Sequence, residues 1–226
     1  SFVDPGQLQS EDFAPLMKSM PIALKSRLQE LSLQQQWIMI SANYLFAPMF
    51  LIIPLMVSSI LGADSFAGEK ERKTLEGLLY TPLTDTELFV AKLLTALVPA
   101  WIINVVSFIL YGVVVNASGY RIMGRLFFPT ATWWPLTFWL GPGISVAGLG
   151  ATVLMSSKVK TFMEAQQASA FLVLPIVFLM IGQVSGLFFL STTLLLLFGL
   201  LAWGIGLWLT WIGAKTFSRG ELIVRI

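Results

Sequence analysis

Between Asp64 and Lys92 the chain reads DSFAGEKERKTLEGLLYTPLTDTELFVAK, its densest grouping of acids and bases. These residue types suit ion pairing and docking. Glu69 and Lys73 stand in a favourable i,i+4 relation, and Arg72 with Glu76 in a weaker, reversed one. Catalysis is poorly served. The chain has no Cys and no His, which removes thiol nucleophiles, disulfides, thiolate metal sites and every imidazole acid, base or ligand. No G-x-x-x-x-G-K-[ST] occurs to cradle ATP phosphates. The expectation is therefore no catalytic, cofactor-binding or metal-binding residue, and no enzyme activity in this chain.

The elements that would position these charges read as two helices with a break between them. Asp64 or Ser65 can cap the first, whose apolar Leu75, Leu78 and Leu79 need a surface to pack on. Thr81-Pro82 ends it, because the residue before proline is pushed out of the α region. Thr84 to Glu87 then forms a capping box, flanked by Leu83 and Leu88 as a hydrophobic staple. The second helix so begun has a defined entry angle and runs on into an apolar span, so that a push on the first helix reaches it. By itself, such a charge run is also what a solvated linker between two helices looks like.

The surroundings are apolar. Of 226 residues 56% are hydrophobic and 12% charged, and the mean hydropathy is +0.80, where soluble domains carry roughly 25% charged residues. A soluble globule of this composition would leave large apolar patches in water, so an integral membrane protein is expected. The net charge of +2 is small and the cations are dispersed, which argues against nucleic-acid binding. About 20 apolar residues cross a hydrocarbon core of roughly 30 Å, and five stretches qualify: Met39 to Leu61, Leu88 to Val115, Trp133 to Met155, Ala168 to about Phe189, and about Leu194 to Gly213.

Pro48 and Pro54 should bend the first span, Trp37 and Tyr44 mark an aromatic belt at its start, and Gly141-Pro142-Gly143 should kink or open the third. Lys92 lies close enough to the end of the second span to snorkel out. Asn116 to Thr132 reads as a loop. Gly182 and Gly186 fit G-x-x-x-G, either a close helix contact or a fraying helix end. Ile22, Leu24, Leu28, Leu31 and Leu33 make a loose helical stripe ahead of the first span.

The positive-inside rule orients the bundle. With the charged stretch in the cytoplasm, nine Lys and Arg fall inside and five outside. Residues 1–37 then form an extracytoplasmic segment with a lead-in helix, and residues 38–226 a transmembrane domain whose cytoplasmic stretch is 64–87. An outer segment without an export signal implies a further span upstream of Ser1. The fold expected is an all-α membrane protein, a polytopic helical bundle of about five visible transmembrane helices.

Asp64, Ala67, Gly68, Glu69, Lys70, Glu71, Arg72, Thr74, Leu75, Glu76, Leu78, Leu79, Thr81, Pro82, Leu88 and Lys92 follow a D..AGEKER.TLE.LL.TP pattern with a Lys opening the next span. In this the chain resembles the ABC type-2 transporter permeases. The resemblance implies a coupling helix seated in a groove of a cytoplasmic ABC ATPase subunit, which would hold the ATP and Mg. It also implies a second permease copy or related permease, and a multi-pass protein of the plasma membrane, the inner membrane in a prokaryote. Family members usually place this motif after the second of six spans, which agrees with a missing first span. The partner-coupling residues expected are Phe66, Gly68, Glu69, Lys70, Glu71, Arg72, Thr74, Leu75, Glu76, Leu78 and Leu79.

An ion-coupled secondary transporter or channel is the alternative. Ion-coupled carriers commonly bury acids or bases near the midplane, and none of the five stretches holds an acid or a base there. This favours ATP-driven export of an apolar or amphipathic substrate.

Overall fold

The computed structural model describes residues 20–72, 74 and 84–216. Among these the regular structure is helical throughout, and five helices are long and apolar enough to cross a membrane. They are α2 (Leu33–Glu71), α3 (Asp85–Met123), α4 (Trp133–Ser156), α5 (Phe162–Val184) and α6 (Thr192–Lys215). A short α1 (Ile22–Gln29) precedes them. The chain is thus an all-α polytopic bundle.

The helix ends depart from the apolar runs for local reasons. α2 begins at Leu33 rather than Met39, because Ser32 accepts from the Gln35 amide while the Gln35 side chain returns to the Ser32 amide. The same Gln35 donates to Ile122 O at 2.9 Å, tying the start of α2 to the end of α3. α3 absorbs the first half of the expected loop. Asn116 stays helical because its amide clamps the returning chain: it donates to Gly112 O and Phe128 O and accepts from the Phe127 and Phe128 amides. α5 starts at Phe162 and ends at Val184, six and five residues earlier than the hydropathy suggested. Thr161 caps its start, and Gly186 turns the chain at φ 75° beyond its end.

α4 is the hub. It packs against all four other spans, and its most apolar window is 56% buried, against 28% for α3 and 22% for α5 and α6. Its sequence GPGISVAGLGATVLMS is rich in small residues, which lets helix backbones approach where lipid offers no hydrophobic drive between helices. The approach is closest to α6, where a Cβ built on Gly206 would lie 2.7 Å from the Ala147 amide nitrogen. Away from the charged stretch the core gathers on Trp133, 1% exposed, with the rings of Phe50, Phe108, Tyr111 and Phe128 around it.

Two expectations change and one choice is decided. Tyr44 is not a belt residue; it is buried, with its ring tilted against that of Phe189 at 4.9 Å between centroids. The stripe ahead of the first span is broken at Ser32, with Leu28 buried and Ile22 and Leu33 exposed. A side chain on Gly182 would meet Phe188 of its own following turn, so Gly182 and Gly186 mark a helix end and not a helix contact. The break at Gly141-Pro142 takes the form of a π-helical turn, Leu136–Leu140, immediately before it.

Candidate coupling site at the charged end of the bundle

The charged stretch does not start a new helix. α2 passes through a π-helical turn, Asp64–Gly68, and continues as Glu69–Glu71. Asp64 has helical dihedrals (φ −65°, ψ −46°), so neither it nor Ser65 is an N-cap. Continuity is possible because the inward face is small: Ala63 and Ala67 pack on Ala165 of α5, with Val159 and Phe162 alongside.

Widening the turn redirects the hydrogen bonds. The Glu69 amide reaches back to Asp64 O and Phe66 O and passes over Ser65 O. The Lys92 ammonium of α3 donates to that carbonyl at 2.9 Å and also to Glu69 Oε2. It lies 5.5 Å from the centre of the Phe66 ring, which packs edge-on against Phe89. Lys92 therefore does not snorkel out. Its side chain is 6% exposed and that of Glu69 25%, because an ammonium held this deep needs a paired anion and a carbonyl to replace water.

Glu69 thus turns to Lys92 of α3, while its expected partner Lys73 lies outside the described residues. Arg72 likewise pairs with Asp64, Nη1 to Oδ1 at 2.9 Å, with both side chains about half exposed. The hydrogen bond that Arg72 donates to Asp64, then the charge of Asp64, raises the Arg72 pKa above its ordinary value. Gly68 makes room for this bridge: a Cβ there would stand 2.8 Å from Asp64 Oδ1.

Two further bonds tie the stretch to the α4–α5 loop. The Phe162 amide, in the first turn of α5, donates to Glu71 Oε2 at 2.8 Å, where an unpaired helix amide and the positive end of the helix dipole favour an anion. Lys70 Nζ donates to Val159 O at 3.2 Å. Thr74 donates through both its amide and hydroxyl to Glu69 O. The capping box at the start of α3 is formed, with the Thr84 amide on Glu87 Oε2 at 2.8 Å and the Glu87 amide on Thr84 Oγ1 at 3.3 Å.

The structure thus brings Phe66, Gly68, Glu69, Lys70, Glu71, Arg72 and Thr74 to one end of the bundle. Leu75, Glu76, Leu78 and Leu79 lie outside the described residues, as do Lys73, the break at Thr81-Pro82 and the staple residue Leu83. Lys92 belongs with the site, although spacing along one helix gives no hint of it. Its signal in the sequence is a lone cation set in an apolar run.

Comparison with curated proteins and with solved structures gave no match. The family described as ABC-2 family transporter protein matches over residues 6–210. That range takes in all but the last residues of α6 together with the whole charged end, and the chain belongs to the ABC-2 transporter family as a multi-pass membrane permease.

Proposed function

We propose that this permease is the membrane half of an ATP-driven exporter in the cell membrane, and that residues 64–87 are the element on which a separate ATP-hydrolysing subunit bears. One observation carries the reading. A single charged helix end is continuous with α2, bonded through Lys92 to α3 and bonded through Glu71 to the first turn of α5. A load applied there acts on three spans at once. Lys70, Glu71, Arg72 and Thr74 supply the polar contacts, and Leu75, Glu76, Leu78 and Leu79 are assigned to the same docking element from the sequence pattern. ATP and Mg belong to the partner. A second permease copy completes the path, accepting the exposed apolar faces of α3 and α6 that include Ile102, Ile109, Leu200 and Trp208. The buried polar residues Ser58, Asn104, Thr137 and Ser145 within the spans are uncharged, which suits an apolar or amphipathic substrate.

The natural absence of cysteine makes single-cysteine crosslinking direct. Thr74→Cys, at an exposed position, is expected to trap the ATPase subunit and stop transport, while Leu126→Cys, exposed beyond the other end of α3, traps neither. Equal crosslinking at the two sites would sink the proposal. Transport that continues on an ion gradient with the ATPase deleted would instead identify a secondary carrier.

A further inference from the structure

The π-helical turn Ser41–Leu45 of α2 lies where four spans meet. Its cause is in the sequence: Pro48 has no N–H to give to Tyr44 O four residues back, or to Asn43 O five residues back. The carbonyls of the turn are used by other helices. Ala42 O accepts from the Tyr111 hydroxyl of α3 at 2.7 Å, Asn43 O from Trp133 Nε1 of α4 at 3.1 Å, and Tyr44 O from Gln183 Nε2 of α5 at 2.7 Å.

The side-chain amide donors there are also spent. Gln183 Nε2 is committed to Tyr44 O, and Asn43 Nδ2 points to Met39 O at 3.3 Å. That fixes which way each side-chain amide faces. It leaves Asn43 Oδ1 and Gln183 Oε1 as buried acceptors with no protein donor, on side chains 0% and 1% exposed. Burying such an acceptor unsatisfied costs about 1–3 kcal/mol, and two sit in the same place. Both residues line one small cavity, with Tyr44, Thr132, Trp133, Leu136 and Leu195 among its other walls. It offers about 10 Å³ of room for the centre of a water-sized sphere, at the lower limit of what one water needs.

We infer that this cavity is a binding site for a single internal water, which donates one hydrogen to Asn43 Oδ1 and the other to Gln183 Oε1. Two unpartnered acceptors and room for one small molecule call for a ligand with two protons to give. No charged side chain lines the cavity, so a cation would have only neutral oxygens to replace its hydration. The site goes beyond the coupling proposal. It puts an exchangeable hydrogen-bonding partner at the break in α2, so that the turn need not be held by protein groups alone.

The test is X-ray radiolysis of the full permease in lipid nanodiscs. A bound water is split in place and hydroxylates the side chains that touch it. Tyr44 and Trp133 are expected to be labelled above Phe50 and Phe89, which are similarly buried but do not line the cavity. Asn43→Leu or Gln183→Met should bring a loss of that excess labelling, down to the level of the two controls. Labelling of Tyr44 and Trp133 no higher than the controls in the wild-type chain would overturn the inference, whether or not the variants fold. So would labelling unchanged in both folded variants.

Discussion

Replacing the partners of the buried Lys92–Glu69 pair tests how the charged end is held. Glu69→Gln removes the anion paired with the Lys92 ammonium, 6% exposed, and leaves a neutral amide oxygen in its place. Stranding a buried charge in this way costs about 3–5 kcal/mol. Lys92→Met strands Glu69 instead, but that side chain is 25% exposed and recovers water, so its cost falls to roughly half, about 1.5–2.5 kcal/mol. The double variant has no stranded charge and loses chiefly the donor to Ser65 O, about 1 kcal/mol. The order of damage is thus Glu69→Gln, then Lys92→Met, then both together, and the double variant lies at least about 2 kcal/mol below the sum, as coupled neighbours do. Equilibrium unfolding by SDS titration in mixed micelles reads this order. The reasoning fails if Lys92→Met is the worse single change, or if the two add to within about 0.5 kcal/mol. A separate measurement of transport per ATP divides structure from function: the double variant is expected to insert and stay folded, yet to transport less for each ATP its partner hydrolyses.

Glu71→Ala removes the acceptor at the first turn of α5 and is expected to cost only about 0.3–1 kcal/mol of stability, while transport falls and membrane insertion stays normal; unchanged transport would argue against a link through α5. Gly206→Leu drives a side chain into the backbone at Ala147, and overpacking of about 1–3 kcal/mol or more should separate α6 from α4, read as a lower thermal midpoint and protease cleavage in the α5–α6 turn.

The number and order of the spans are legible in the sequence because each crossing is a long apolar run. The ends are not, because polar side chains extend the helices for reasons outside hydropathy. Ser32 and Gln35 form an S-x-x-Q capping box that places the start of α2, a signal visible in the sequence though the three glutamines after Leu33 obscure it. Asn116 looks like a loop residue and is helical only because Phe127 and Phe128 return to meet it. At the charged end the local spacing suggests pairs within one helix, Glu69 with Lys73 and Arg72 with Glu76, but Lys73 and Glu76 lie outside the described residues. Among the described residues Glu69 pairs with Lys92 and Arg72 with Asp64. Neither follows the i,i+3 or i,i+4 spacing, since one spans two helices and the other joins residues eight apart.

The three π-helical turns among the described residues follow one rule, and the charged end is an instance of it. In lipid a backbone carbonyl released from its helix must find another donor. Tyr111, Trp133 and Gln183 serve the turn at Ser41–Leu45. In the turn at Leu136–Leu140, Asn104 donates to Thr137 O at 2.8 Å and Trp203 to Trp139 O at 3.1 Å, with Pro142 giving no N–H to Thr137 O five residues back. Lys92 serves the turn at Asp64–Gly68. Interhelical hydrogen bonds in membranes average about 0.6 kcal/mol each, so those of the first two turns can be exchanged at little cost as helices shift. The third differs because its donor carries a charge paired with Glu69, and breaking it strands an ion. Movement should therefore be easier at the neutral turns and resisted at Asp64–Gly68, which would suit the coupling role proposed for that end.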